Sequence, residues 1–203
     1  MFWIKLGILL IGFLFAGILP GAVRKSIQHI KIDLNTQTLS FLSNKSLYGK
    51  EYAKGYKRLL FASSILLYTF FWLLSEFYDL GQHEKLMQYI DICVASLTLL
   101  AFVPHNLKPY SLDNFTPALQ RFFHNLLAVV VFLSIPALIV TYQFAIIEHK
   151  QFLGLSGLIV IGLVVLATAL SFLKSGINGA TELLFINGIS IWTIFVTILT
   201  ILS

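Results

Sequence analysis

An all-α, polytopic integral membrane bundle of six transmembrane helices is the fold class this sequence predicts, and three observations predict it. Hydrophobic residues make up 58% of the 203 residues and charged residues 11%, whereas soluble domains carry about 25% charged residues. The apolar residues gather into six runs, each about long enough to cross a hydrocarbon core of ~30 Å at ~1.5 Å per helical residue. The polar residues fall between those runs. A soluble chain this apolar would expose large greasy patches and aggregate. The length suits one compact transmembrane domain over residues 1–203, with no room for a second.

The first run, Phe2–Val23, is longer than the usual signal-peptide core of about 7–15 residues, and Arg24 and Lys25 follow it at once. It reads as a retained span. The polar segment 24–58 comes next. Ile30, Ile32 and Leu34 alternate with Lys31 and Asp33, which predicts a short strand or extended stretch. Tyr48, Tyr52 and Tyr56 then recur every four residues on one helical face, with Lys50, Lys54 and Lys57 largely on the others. Tyrosine favours the membrane–water boundary and lysine meets anionic headgroups there. Residues 48–58 therefore read as an interfacial, lipid-contacting helix leading into the second span.

The second span is Leu59–Leu80 and the third Leu86–Val103. Glu76, Asp79 and His83 would share a face if a helix continued through them, but Gly81 interrupts it. Cys93 is the sole cysteine, so no disulfide forms within the chain, and its position in the third run marks a small buried side chain. The fourth span, Phe122–Ile147, contains Pro136, which removes a backbone hydrogen bond and predicts a kink. The fifth, Phe152–Leu173, carries Gly154, Gly157 and Gly162, which would let helices approach closely. The sixth is Leu183–Leu202. No convincing internal repeat relates the first three spans to the last three.

Loop charges set the expected orientation. Eleven of the fourteen Lys and Arg fall between spans one and two, three and four, or five and six. The positive-inside rule then puts those loops in the cytoplasm and both termini outside. The expected home is a bacterial cytoplasmic (inner) membrane. The net charge of +5 is explained by insertion, so nucleic acid is not an expected partner. Membrane lipids are, with a homo-oligomer or membrane partner as a further possibility.

Ionisable groups at membrane depth are functional candidates by default. They cluster at one expected face: His105, Asp113, Arg121, His124 and Asn125, with Glu182 opening span six. Arg121 lies three and four residues before His124 and Asn125, so on a helix these side chains share a face. His105, Asp113 and His124 could complete a set near one surface, although the spacing matches no metal-ligand motif and no metal or cofactor is assigned. Glu182 reads as an acid in the first turn of span six, favoured there by the helix dipole, or more sharply as a partner for Arg121 or His124 at the same face. Asn187 is expected to hydrogen-bond across helices, and Trp192 to pack or line a cavity near mid-membrane. The chain has no P-loop, GxSxG, HExxH or Rossmann glycine pattern.

Phe102-Val103-Pro104 followed by His124-Asn125-Leu126-Leu127-Ala128, and Gly179-Ala180-Thr181-Glu182-Leu183 leading to Trp192, resemble the DUF nine-nine-eight family of small prokaryotic membrane proteins. The resemblance covers about half the chain. It implies six helices and draws attention to His124, Glu182 and Trp192. The family's acid after the proline is replaced here by His105-Asn106, and the arginine after the glutamate by Leu183. The family brings no assigned reaction. The leading expectation is thus a membrane protein of unknown activity that binds lipid or a partner between its helices. Two alternatives are a membrane-embedded hydrolase using His105, Asp113, His124 and Glu182, and a small proton-coupled transporter built on His124 and Glu182.

Overall fold

The computed structural model describes residues 1–30, 32–106 and 115–203, which contain six long helices and no strand. They are α1 (Phe2–His29), α2 (Lys45–Tyr78), α3 (Glu84–Phe102), α4 (Phe115–Ile147), α5 (Gln151–Ser175) and α6 (Gly179–Leu202). All six are long and apolar enough to cross a membrane, and the chain is a multi-pass membrane protein. A 3-10 segment, Leu39–Ser43, precedes α2. Asp113 and Lys108 lie outside the described residues.

Each helix packs against its neighbours in sequence, and α6 returns to pack against α1. Short connections make neighbours antiparallel, so the helices form a closed ring with two distinct ends. One end, here the mouth, collects segment 32–44, residues 103–106 and the α5–α6 turn. The far end holds both termini and the α2–α3 and α4–α5 turns.

Aromatic side chains from α2, α4 and α6 fill the ring. Trp192 is fully buried and stacks on Phe71, with centroids 5.9 Å apart and planes 15° from parallel. Phe70 and Tyr142 meet Trp192 edge-on at 6.5 and 6.1 Å. Such pairs contribute beyond simple area burial, and inside lipid, packing of this kind is a main source of helix association. Gln143 is fully buried beside them. With its amide oriented by its surroundings, its oxygen accepts from Trp192 Nε1 at 3.0 Å and its nitrogen donates to the Leu153 carbonyl at 3.1 Å. That nitrogen serves a carbonyl on α5, so one amide ties α4, α5 and α6 together.

Glycine opens the space for this contact. A Cβ on Gly157 would collide with the Gln143 amide, and one on Gly154 would lie 2.9 Å from the Ile147 Cα. Gly162 differs from expectation: it faces open space and contributes no close approach.

Several other expectations are refined or corrected. α1 runs on to His29, well past the apolar run, because nothing in Arg24–Gln28 breaks a helix. Among the described residues the alternating stretch at 30–34 is not a strand. Ile30 is extended, and Asp33 builds a turn by accepting from Asn35 N at 3.0 Å and Thr36 Oγ1 at 2.8 Å. Local Asx chemistry outcompeted the period-two pattern, which had no neighbouring strand to pair with. The helix expected over 48–58 is the first part of α2 itself, jointed at Gly49, whose φ of 86° suits only glycine. α4 includes Pro136 within its span as one helix. At the far end Asp79 adopts a left-handed φ of 55° and ends α2, so Glu76, Asp79 and His83 do not share a helical face.

Candidate functional site

Segment 32–44 folds across the mouth, held by backbone amides and a carboxylate of α6, by Tyr48 of α2 and by the backbone N–H of His105. The first amides of α6 are orphan donors in any helix. Here Gly179 N donates to the Gln37 carbonyl at 2.8 Å and Ala180 N to the Leu34 carbonyl at 3.0 Å. Asn178 caps the same end, accepting from Thr181 N at 2.9 Å. The exchange is reciprocal. Glu182, in the first turn of α6, accepts from Leu39 N at 2.5 Å and so caps the 3-10 segment. Leu39 and Leu42 of this strap are buried. Tyr48 pins it further by donating to Gln37 Oε1 at 2.9 Å.

The other end of the strap meets α3 and α4. Ser43 Oγ accepts from His105 N at 2.8 Å and donates to the Ser40 carbonyl at 2.7 Å. The Phe41 ring lies 5.2 Å from the His105 ring. Asn44 caps α2, its side chain accepting from Ser46 N at 3.0 Å and Leu47 N at 3.2 Å.

His105 and His124 come together as the sequence implied. Their rings meet edge to face with centroids 4.9 Å apart. His124 is 1% exposed. Its Nδ1 lies 2.7 Å from the Val103 carbonyl, which can only accept, so Nδ1 carries the proton. In neutral His124 the Nε2 is then an acceptor, and it meets no partner. His105 Nδ1 is likewise buried without one. Burial, then the neighbouring His124 and the Arg121 guanidinium, lower His105 to a pKa of about 4. The ring is neutral at neutral pH.

The remaining expected residues separate. Glu182 pairs with neither Arg121 nor His124; its carboxylate serves the strap. Among the described residues the one ion pair is Lys54–Glu51, at 3.5 Å. Asn125 is exposed on α4, pointing away from buried His124, because one residue on a helix turns the side chain by about 100°. Asn187 is exposed on α6 rather than bonded to another helix. Trp192 packs as expected. Asp113 lies outside the described residues, so the proposed His/His/Asp set is not completed among them. No group of three or more His, Cys, Asp or Glu side chains able to hold a metal occurs among the described residues.

Two pockets flank the strap. One, of about 520 Å³, lies between the end of α1 and the start of α2. Ala22, Val23, Leu42 and Leu59 give it apolar walls, while Lys25, Ser26 and Glu51 add polar groups. Tyr52 and Tyr56, expected at the lipid interface, line it too; Lys50 and Lys54 remain exposed. The second, of about 580 Å³, is bordered by Ser43, Lys45, Asn106, Gln120 and His105. His124 lies behind His105.

A second buried polar set, toward the far end, has a legible signal that the sequence reading passed over. Thr193, Thr197 and Thr200 are spaced by four and three, so they share a face of α6, and all are fully buried. Tyr78 donates to Thr200 Oγ1 at 3.1 Å. Comparison with family models, curated proteins and solved structures finds no match for this chain.

Proposed function

We propose that this protein binds a membrane lipid at its mouth, with acyl chain in the α1–α2 groove and an anionic headgroup at Lys25. The groove carries the reading: about 520 Å³, apolar along Ala22, Val23, Leu42 and Leu59, with Lys25 at its rim and the Glu51 carboxylate there paired with Lys54. Its level along α1 and α2 is where the apolar run ends and Arg24, Lys25, Lys54 and Lys57 begin. That is the level of a headgroup, where each basic side chain near an anionic surface contributes about 1 kcal/mol. The mouth is then the cytoplasmic face of a bacterial inner membrane.

Gly55 offers a clean test. A Cβ there meets nothing within 4 Å, and leucine is a better helix former than glycine. Gly55→Leu should fold normally and fill the groove. Native mass spectrometry after mild detergent extraction should show phosphatidylglycerol retained by the parent chain and lost from this variant. Lys25→Gln should keep lipid but lose the preference for phosphatidylglycerol over phosphatidylcholine. Equal retention by parent and Gly55→Leu would remove the reading.

The paired histidines favour a second reading, a membrane-embedded hydrolase. The His124 Nε2 is a buried, unpartnered acceptor that would take a proton from water or a substrate hydroxyl once the mouth opens. Turnover of a lipid ester that disappears in both His124→Asn and His105→Asn would support it, and unchanged turnover would exclude it.

A further inference from the structure

We infer that the outer face of α5 and α6 is a two-fold interface with a second copy of this chain, centred on Asn187. The inference is independent of the lipid reading. Asn187 is exposed on a stripe of α6 with Leu184, Ile191 and Ile198, which are 41, 60 and 43% exposed. It lies about 12 Å along α6 from Gly179 at ~1.5 Å per residue, below Glu182 and inside the apolar run. Neighbouring polar side chains on α6 satisfy themselves locally. Ser190 Oγ donates to the Ile186 carbonyl at 3.0 Å and Thr193 Oγ1 to the Ile189 carbonyl at 2.9 Å. Asn187 forms no such bond.

Hydrocarbon supplies neither donor nor acceptor, so a bare amide facing lipid is costly. An interhelical hydrogen bond removes that cost. A carboxamide carries both a donor and an acceptor, so a second Asn187 is its own complement across a two-fold axis. Two copies inserted the same way share an axis along the membrane normal, which brings equal depths together. The surrounding surface allows close approach. Gly188 seats against Val164 and fixes α6 on α5. Leu163 and Ala167 flank that level of α5, and both are exposed. A different membrane helix could also offer an amide partner, but only a copy of this chain guarantees one at the same depth.

The test uses the full chain in lipid nanodiscs and liposomes with Cys93→Ser as background. Ile191→Cys should form an oxidative cross-link between copies, while Leu133→Cys, on the exposed face of α4, should not. Energy transfer between labelled copies should show Asn187→Leu weakening association about tenfold and Asn187→Gln restoring most of it. Asn187 faces outward, so its variants should keep the parent's thermal stability. A monomer at every protein-to-lipid ratio would overturn the inference. So would equal cross-linking at Leu133, or association indifferent to Asn187→Leu.

Discussion

His105 shows how a single residue at the mouth links geometry to pH. Its backbone N–H is bound to Ser43 and its ring sits between Phe41 and His124. The folded chain lowers its pKa from 6.5 to about 4. Between those values the unfolded chain binds more protons, so stability rises with pH across the window. The contribution is complete above about 6.5 and is lost as pH falls toward 4. The His105 contribution is read as a difference: going from pH 7 to pH 5 should speed proteolysis of residues 32–44 more in the parent chain than in His105→Gln. The same pH dependence in both chains would contradict it. Gly12 tests packing at the same scale. A Cβ there would collide with Thr197 and lie 3.0 Å from Phe70, whereas one at Gly17 meets nothing within 4 Å. Gly12→Leu should cost about 1–3 kcal/mol through overpacking, with Gly17→Leu near neutral, both measured by thermal unfolding in one detergent.

At the level of elements, the strap and α6 cap each other. Glu182 is the side-chain half of that exchange, and Gln37 and Leu34 carbonyls are the backbone half. Removing Glu182 leaves Leu39 N without an acceptor under the strap, an expected penalty of about 1–3 kcal/mol. Glu182→Ala should speed amide exchange at Leu39 and neighbouring strap residues while α2–α4 stay protected. Glu182→Gln keeps an acceptor and should lie between parent and alanine. Protection unchanged in the alanine variant would show that the strap stands without α6. The sequence made the six spans legible because each is a long apolar run between polar breaks. The strap was illegible for a physical reason. Its contacts are between backbone groups far apart in the chain, and backbone groups carry no residue signature. Glu182 was recognisable as an acid in a first turn, but its partner is an amide that any residue could supply. His105 and His124 were legible as a pair because Pro104 ends one span and His124 begins the next. The outward placement of Asn125 and Asn187 was not legible, because spacing alone does not say which side of a helix faces the bundle.

The whole molecule has two unlike ends, and that asymmetry makes orientation a physical prediction. Among the described residues, nine of the twelve Lys and Arg belong to the segments that meet at the mouth, while Glu76, Asp79 and Glu84 gather about the far-end α2–α3 turn. Basic residues near span ends resist translocation, so the mouth should face the cytoplasm. Closed-ring packing makes the outcome all or none, since inverting one helix would break its contacts with both neighbours. Lys45 is exposed at the mouth and Gly81 at the far end, where a Cβ meets nothing within 4 Å. In a Cys93→Ser background, an impermeant maleimide should label Gly81→Cys in intact cells. It should label Lys45→Cys only after permeabilisation. The reverse pattern would turn the molecule over. The lipid groove and the histidine pair would then face the outside, and Lys25 would meet the outer leaflet's headgroups.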